Sequence, residues 1–176
     1  LKHQEWLVKN FNNVEAHTLN LDKLFETFEG TLSNFDSELG MANSRARIRM
    51  TTLYQVAAAN KGIVVGTGNK VEDFGVGFYT KYGDGGVDIS PIADCNKSEV
   101  WEIGKSINIL QEIIEAAPTD GLWDDGRTDE GQLGLKYEEL EEAMNNVNSI
   151  NREKYEKIRK MNLHKMEPIP VCKIPN

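Results

Sequence analysis

The sequence predicts an α/β fold in which helices flank a parallel β-sheet. The apolar run IVV at residues 63–65 ends at Gly66, a pattern typical of a strand buried on both faces. Residues 14–21 alternate apolar and polar side chains as a strand does, and residues 36–60 between the two strands follow one long helical pattern. Because strand, helical crossover and strand form a βαβ unit, we expect the two strands to pair in parallel.

The remaining periodic segments are expected to be helices joined by loops, within a single domain of residues 1–176. Apolar side chains recur at helical spacing in residues 2–11, 22–32, 98–107, 109–117, 137–145 and 152–163. Ser98 stands where an N-cap or first-turn residue is favoured. The glycine-rich residues 66–86 are expected to form a loop, and the acidic residues 122–134 a mobile surface loop.

Composition limits the partners that the protein can have. Its 176 residues carry a formal net charge of -8, whereas nucleic acids and anionic membranes attract basic proteins, so neither is expected to bind. The hydrophobic fraction of 39% is typical of a globular protein, and no apolar run is long enough to cross a bilayer. Cys95 and Cys172 fit neither a zinc site nor a disulfide scaffold, so both are expected to be reduced thiols in the cytoplasm. The residues after Leu1 do not form a signal peptide. We expect Leu1 to mark a truncation or processing point.

Three arginines alternate along the long helical segment, at Arg45, Arg47 and Arg49. On a helix they spread over a wide arc, so at least one faces inward or toward a cleft, where a guanidinium needs a carboxylate or phosphate partner. The alternative is that all three lie on the surface and pair with neighbouring acidic residues.

The segment GTGNKVE at residues 66–72 directly follows the predicted strand. Its backbone amides and the Thr67 hydroxyl can approach a nucleotide, although the segment matches neither the P-loop nor the dinucleotide-binding fingerprint. A plain strand-to-helix turn is the alternative. Glu72 is a candidate magnesium ligand, because a carboxylate near a phosphate-binding loop supplies the hard oxygen that Mg²⁺ prefers.

The segment KYGDGGVDISPIADCNK at residues 81–97 carries the most functional side chains. Its glycines let the backbone approach a ligand closely, and Asp84 and Asp88 can accept hydrogen bonds from amines or ribose hydroxyls. Lys81 and Lys97 supply point charges that suit phosphate oxygens. The alternative is an Asp-Gly hairpin with solvated lysines, and the residues alone leave both interpretations open.

Two further stretches are less specific. Residues 117–125 place a hydroxyl and several carboxylates in a loop, which is either a lid or an acidic surface. His164 and Lys165 follow a charged helix, and we expect them to be solvated unless a partner site surrounds them.

Several segments together resemble the ammonia-dependent NAD synthetase family. They are ANSRARIRM (residues 42–50), VVGTGNKVED (64–73), GFYTKYGDGGVDISPIAD (77–94), Lys97, AAPTDGLWDDGRTDEGQLG (116–134) and His164-Lys165. They occur in the family's order with closely similar spacing and cover most of the chain after Leu39. The KYGDGG string is the most specific of them.

The resemblance implies an enzyme, a ligase that forms a carbon–nitrogen bond. In this family ATP adenylates the nicotinate carboxylate of deamido-NAD, and ammonia then displaces AMP. NAD, AMP and pyrophosphate are the products of this last step of NAD biosynthesis, and Mg²⁺ assists. The alternatives are a nucleotide-binding domain without turnover and an inactive fragment.

The resemblance also implies roles for individual residues. The residues that would bind ATP are Thr67, Lys97, Thr119 and Arg49. The residues that would bind deamido-NAD are Arg47, Lys81, Asp88, His164 and Lys165. Glu72 would bind the metal. Asp84, Asp88 and Lys97 would act in catalysis, where either aspartate can accept a proton from the attacking amine.

The family has a Rossmann-like parallel sheet of the ATP pyrophosphatase type, and its members form homodimers with deamido-NAD near the subunit interface. Two features of this sequence depart from the family pattern. The Ser-Gly-Gly-x-Asp-Ser loop that grips pyrophosphate does not occur in it, which implies truncation at the amino terminus, and Met166 stands where relatives often have arginine. No glutaminase portion is visible, so free ammonia is the expected nitrogen donor.

Overall fold

The structure is a computed structural model that describes residues 2–175, and its regular elements are helical. The α-helices are α1 (Lys2–Asn10), α2 (Asp22–Thr31), α3 (Glu38–Ala59), α4 (Lys97–Ser106), α5 (Gln111–Ile114), α6 (Asp129–Leu133), α7 (Tyr137–Asn145) and α8 (Arg152–Met166). A 3₁₀ turn (Ser33–Phe35) and a π-helix (Val71–Val76) complete the set. Every segment predicted to be helical overlaps one of these helices, and α7 has the predicted bounds.

The predicted parallel sheet is not confirmed by the described residues, which contain no regular strand. A single parallel bridge joins Val65 to Ile89, and the Gly66 amide donates to the Ile89 carbonyl at 2.7 Å. Ile63 and Val65 are 59% and 53% exposed, so this segment is not buried on both faces. Residues 14–21 form irregular, mostly exposed chain instead of a strand. An apolar run becomes a regular strand only where neighbouring segments pair along it, and the pattern of a single segment does not reveal those neighbours.

The main core lies between the π-helix and helices α6, α7 and α8. Tyr137, Leu140 and Ala143 lie on one face of α7, at a spacing of three residues, and are at most 1% exposed. The residues that pack with them are Val71, Val76, Leu133, Leu135 and Tyr155. Because fully burying one large aliphatic side chain stabilises a fold by about 1.5–3 kcal/mol, this cluster anchors the elements that carry the site.

Residues 129–133 form helix α6, which corrects the expected loop of residues 122–134 over that part. The Thr128 hydroxyl accepts a hydrogen bond from the Gly131 amide at 3.1 Å and begins the helix, and Gly134, with φ of +67°, ends it. Leu133 is 7% exposed and belongs to the main core. A helix this short shows no hydrophobic period, which explains the error. The mobility of the preceding residues and the single domain remain predictions.

Helix α8 holds the end of the π-helix through backbone carbonyls. Arg159, Asn162 and Lys165 donate to the carbonyls of residues 75, 76 and 77, at 2.7, 2.9 and 2.9 Å. The donors stand three residues apart and therefore share one face of α8. Gly77 has φ of +66°, and a Cβ there would lie 2.6 Å from the Asn162 Cβ, so a side chain at this position would push the two helices apart.

Helix α3 forms the other wall of the site. It begins after Ser37, whose hydroxyl accepts from the Gly40 amide at 3.2 Å, and it buries Ala42, Ala46 and Met50. Within residues 2–175, this long helix included, no helix combines the length and the apolar character that crossing a membrane requires.

Candidate functional site

A cavity of about 520 Å³ opens between α3, the turn after Val65, the π-helix and the start of α4. The predicted site residues on its wall are Arg49, Thr67, Glu72, Asp84, Lys97 and Thr119. Small-molecule sites in proteins have volumes of about 300–1,000 Å³, so a ligand of nucleotide size fits this space. The cavity thus brings together predicted site residues that are up to 70 positions apart in the sequence, the separation of Arg49 and Thr119.

Glu72 is the centre of a buried polar cluster in the cavity wall. The Lys97 Nζ lies 3.0 Å from Glu72 Oε1, and the Tyr137 hydroxyl donates to the same oxygen at 2.5 Å. The Lys97 ammonium also lies 4.8 Å from the centre of the Tyr137 ring. The side chains of Glu72 and Lys97 are only 15% and 19% exposed, so water and salt screen their attraction weakly.

Asn69 sets the backbone position of Glu72. The Asn69 side chain accepts hydrogen bonds from the Val71 amide at 3.0 Å and from the Glu72 amide at 3.1 Å, at the start of the π-helix. Asn69 is 2% exposed, so these amides would otherwise be buried without a partner, which costs about 1–3 kcal/mol for each group. This polar cap therefore helps to aim Glu72 into the cavity.

Asp129 is the second carboxylate beside this cluster. It is 7% exposed, lies on the cavity wall, and places Oδ2 3.3 Å from the Tyr137 hydroxyl oxygen. Burial raises the pKa of Asp129, and the nearby carboxylates of Glu72 and Asp120 add to that effect. We call Glu72, Lys97, Asp129 and Tyr137 the cavity cluster.

Asp73 follows Glu72 on the π-helix and packs against Gly68. A Cβ on Gly68 would lie 2.3 Å from a carboxylate oxygen of Asp73, so a larger residue there would displace the Asp73 side chain. Burial, with smaller contributions from the charges of Glu72 and Asp84, raises the pKa of Asp73 to about 6. Negative charge is therefore in excess around the cavity.

Asp84 lies in the glycine-rich turn, which is a series of turns and not the β-hairpin of the alternative interpretation. Its carboxylate accepts from the Thr80 amide at 3.0 Å. Burial raises the pKa of Asp84, while the Thr80 hydrogen bond and the Lys165 ammonium oppose the rise. A Cβ on Gly85 would lie 2.2 Å from the Tyr79 ring, so the tight turn excludes any side chain there.

Two arginines of α3 bind the loop that forms one side of the cavity. Arg45 donates to the carbonyl of residue 122 at 2.7 Å, and Arg49 donates to the carbonyl of residue 121 at 2.9 Å. In the same loop, the Thr119 hydroxyl donates to the Arg127 carbonyl at 3.2 Å. The expectation that at least one arginine faces a cleft agrees with the position of Arg49.

Arg47, Lys81, His164 and Lys165 form a second group of side chains, which we call the basic group. Arg47 Nε donates to the Lys81 carbonyl at 3.2 Å, and Lys81 Nζ donates to the His164 carbonyl at 2.7 Å. Lys165 Nζ donates to the carbonyls of residues 77 and 79 at 2.9 and 2.7 Å. Burial lowers the pKa of Lys165, against an opposing effect of the Asp84 charge. The structure therefore brings these four predicted residues together, beside the cavity.

Asp88 binds the backbone of Val64, a residue of the cavity wall. Its carboxylate accepts from the Val64 amide at 2.7 Å, and its own amide donates to the Val64 carbonyl at 3.0 Å. These two bonds flank the parallel bridge between Val65 and Ile89. Asp88 therefore has a structural partner, and its predicted ligand and catalytic roles remain predictions.

Sequence reasoning missed Tyr137, Asp129 and Asn69. Tyr137 stands on the apolar face of a predicted helix, so only its position in the core was expected, and the partner of its hydroxyl lies 65 residues away. Asp129 was assigned to a surface loop. The one available signal was the Thr128-Asp129-Glu130 sequence, since a threonine followed by acidic residues favours a helix start.

The family model described as NAD synthase matches residues 1–174. The NH(3)-dependent NAD(+) synthetase of Carboxydothermus hydrogenoformans is 40% identical over 139 residues, which are 77% of this chain and 56% of that protein. The protein of the same name in Alkaliphilus oremlandii is 46% identical over 132 residues, which are 75% of this chain and 49% of that protein. The chain thus spans about half the length of the curated relatives it matches.

A solved structure is also similar. The NMN synthetase from Francisella tularensis matches with a TM-score of 0.85 and 30% sequence identity, over 99% of this chain and 72% of that chain. The match extends over α1 and α2 as well as the site. With a family match along nearly its whole length, the chain belongs to the NAD synthase family.

Proposed function

We propose that the protein is an ammonia-dependent NAD synthetase, a ligase that amidates deamido-NAD and converts ATP to AMP and pyrophosphate. The observation that carries this proposal is the cavity, whose wall holds Glu72, Lys97 and Asp84 together. A cation, a candidate metal ligand and a proton acceptor in one space are the groups that adenylation followed by amidation requires. Family membership and the names of the relatives support the same reaction.

In the first half-reaction, the nicotinate carboxylate attacks the α-phosphorus of ATP and pyrophosphate leaves with its bonding electrons. We propose that Lys97 stabilises the negative charge that develops on the departing phosphates, with Arg49, Thr67 and Thr119 holding ATP. The low exposure of Lys97 strengthens this effect, because a preorganised charge acts more strongly where water is excluded.

In the second half-reaction, ammonia attacks the acyl carbon, and the bond to AMP breaks. The nitrogen must lose a proton, and we propose Asp84 as the acceptor, with Asp88 as the other candidate. The raised pKa of Asp84 favours this role, since a carboxylate with a higher proton affinity is a better base near neutral pH. We further propose that Arg47, Lys81, His164 and Lys165, together with Asp88, hold deamido-NAD.

Mg²⁺ is the metal that we propose for the site, with ATP as the co-substrate. Its fit rests on the chemistry of Glu72, a carboxylate on the cavity wall that offers the hard oxygen that this ion prefers. Residues 2–175 contain no group of three or more His, Cys, Asp or Glu side chains able to hold a metal by themselves. This is the usual situation for Mg²⁺, which commonly binds through one or two carboxylates and the substrate phosphates. When bound, the ion neutralises charge on the phosphates.

We also propose the finer properties of the family for this protein. The parallel bridge at Val65 would then belong to a Rossmann-like sheet of the ATP pyrophosphatase type, and the protein would be a cytoplasmic homodimer. The similarity to the Francisella tularensis structure supports the fold. Sedimentation of the purified chain tests the dimer.

The reaction is tested by mixing the purified chain with deamido-NAD, ATP, Mg²⁺ and ammonium and measuring NAD and AMP by chromatography. Equal amounts of both products are expected. Binding of ATP or deamido-NAD without products would support a nucleotide-binding domain without turnover. Neither binding nor products would contradict the proposal and favour the inactive fragment.

A second candidate function is the amidation of the mononucleotide precursor to give NMN. It is favoured by the high TM-score of 0.85 with an NMN synthetase over 99% of this chain. The same assay separates the two functions if the deamidated mononucleotide replaces deamido-NAD. The substrate with the higher kcat/KM identifies the function.

A further inference from the structure

Asp129 has a buried carboxylate oxygen without a partner. Asp129 is 7% exposed, and its Oδ1 has no hydrogen-bond partner among the described residues. The residue lies on the wall of the same cavity as Glu72 and Lys97. A buried carboxylate normally has hydrogen bonds to both oxygens, so this oxygen needs an explanation.

The other oxygen of Asp129 is poorly satisfied as well. The Tyr137 hydroxyl lies 2.5 Å from Glu72 Oε1 and 3.3 Å from Asp129 Oδ2. A hydroxyl has one proton, and the shorter distance assigns that proton to Glu72. Two carboxyl groups thus meet around one donor, and Asp129 gains little from it.

The charges of the cavity cluster do not balance. When ionised, Glu72 and Asp129 bring two negative charges, and Lys97 brings one positive charge. An uncompensated buried charge is strongly unfavourable. A divalent cation beside the two carboxylates would compensate for this excess and give Asp129 Oδ1 a ligand. The two carboxylates are close enough for this, because both contact the same hydroxyl oxygen.

We propose that Asp129 is a second protein ligand of the divalent cation held by Glu72, and that Tyr137 orients the Glu72 carboxylate toward it. A purely structural role for Asp129, in the first turn of α6, leaves the free Oδ1 unexplained. The inference rests on the proposed function, since the cation would be the one that accompanies ATP. It deepens that function by completing the protein's share of the metal site.

The test measures Mn²⁺ binding with and without a non-hydrolysable ATP analogue. Electron paramagnetic resonance monitors binding as a loss of the free-ion signal. The variants are Asp129→Asn, which keeps the shape and an acceptor for Tyr137, Glu72→Gln as the positive comparison, and Asp94→Asn as the matched control. Asp94 is a carboxylate with 98% side-chain exposure that pairs with Lys70. We expect Asp129→Asn and Glu72→Gln each to weaken Mn²⁺ binding about tenfold or more, and Asp94→Asn to leave it unchanged.

Thermal unfolding keeps the test decisive if a variant folds poorly. Without metal, Asp129→Asn should be at least as stable as the parent, because it removes an unpaired charge, and added Mg²⁺ should stabilise it less than the parent. Asp129→Glu, which retains a carboxylate, should recover part of the Mn²⁺ affinity. A less stable Asp129→Asn variant with normal Mn²⁺ affinity would overturn the proposal in favour of a structural role.

Two other outcomes also overturn the inference. One is loss of Mn²⁺ binding in Glu72→Gln alone, and the other is the absence of Mn²⁺ binding by the parent chain in both conditions. Because Mn²⁺ binding needs no deamido-NAD, it is separable from turnover. A parent that forms NAD while Asp129→Asn binds Mn²⁺ normally refutes only the inference. Binding that depends on both carboxylates without NAD formation refutes only the proposed function.

Discussion

The cavity cluster and the basic group lie on either side of the glycine-rich turn and hold their side chains in different ways. In the cavity cluster, side chains bind side chains: Lys97 and Tyr137 both contact Glu72. In the basic group, Arg47, Lys81 and Lys165 all donate to backbone carbonyls. The cavity cluster therefore depends on matching chemistry, whereas the basic group also ties segments of the fold together. Substitutions in the cavity cluster should change ligand binding. Substitutions in the basic group should change both ligand binding and the free energy of unfolding.

The largest effect is expected for Lys97→Met, which tests the first half of this comparison. The variant keeps the apolar stem but removes the charge proposed to face the ATP phosphates, and it leaves Glu72 with only the Tyr137 hydrogen bond. We expect ATP affinity to fall about 100-fold, which corresponds to about 2.7 kcal/mol. Isothermal titration calorimetry measures it.

Lys70→Met is the control for that variant. Lys70 belongs to the same segment as Glu72, but its side chain is 41% exposed and pairs with the exposed Asp94. Its loss should change ATP affinity less than threefold, as expected of a surface ion pair. Equal losses in both variants would mean that general positive charge, and not the cavity cluster, attracts ATP.

Tyr137→Phe should produce the next largest effect, on stability and on the cavity together. The ring fills the core at 1% exposure and is retained, but the hydroxyl that separates the carboxylates of Glu72 and Asp129 is lost. We expect the free energy of unfolding to fall by about 1–3 kcal/mol, measured by chemical denaturation. An unchanged stability would show that the hydroxyl contributes nothing beyond the ring.

Lys165→Met tests the second half of the comparison. It removes two hydrogen bonds to the carbonyls of residues 77 and 79 in a partly buried environment. Each charge-assisted bond is worth about 1.5 kcal/mol at most here, because the lowered pKa of Lys165 shows that burial already disfavours its charge. We expect a loss of about 1–2 kcal/mol in the free energy of unfolding. A loss of deamido-NAD binding with unchanged stability would mean that Lys165, like the cavity cluster, acts in binding and does not stabilise the fold.

Asp73→Asn should have the smallest effect, and its sign depends on pH. The folded-state pKa of about 6 lies above the ordinary value of 3.8, so the folded protein holds this proton more tightly than the unfolded chain does. Stability from this group is therefore full below about pH 4 and is lost as pH rises to about 6. Parent and variant should be similar at pH 4, and above pH 7 the variant should be more stable by about 1 kcal/mol after allowance for solvent screening.

The measurement for Asp73 is the difference in unfolding free energy between the two proteins from pH 4 to pH 8. Groups whose titration is the same in both proteins contribute equally to the two free energies and therefore cancel in the difference. A flat difference across this range would mean that the negative charge of Asp73 is not unfavourable in the folded protein.

The longer helices could be predicted from the sequence because their signals are local. Helix α7 shows an apolar period over its whole length, and α3 has Ser37 as its N-cap and a clear end at Asn60. The sheet could not be predicted from the IVV run, because strand formation depends on neighbours that the run does not specify. The same holds for the contact of Tyr137 with Glu72, which joins positions 65 residues apart.

The residues of the candidate site were predicted through the resemblance and the charges, while their arrangement was not. Lys97 and Glu72 were expected in one site, and the structure places them in contact. Asp88 was expected beside them, but a short polar side chain next to a backbone bridge binds the Val64 amide instead. Local sequence shows which groups are present, and packing decides which of them meet.

The hydrogen bonds from α8 to backbone carbonyls determine where an inserted residue can be tolerated. Because Arg159, Asn162 and Lys165 each bind one successive carbonyl of residues 75–77, a residue inserted between them would rotate everything beyond it by about 100°. Lys165 would then leave its carbonyls, and His164 would leave Lys81. An insertion in residues 146–151, before α8 begins, would leave that alignment intact. Tolerance to insertions should therefore be high in residues 146–151 and low from Arg159 to Lys165.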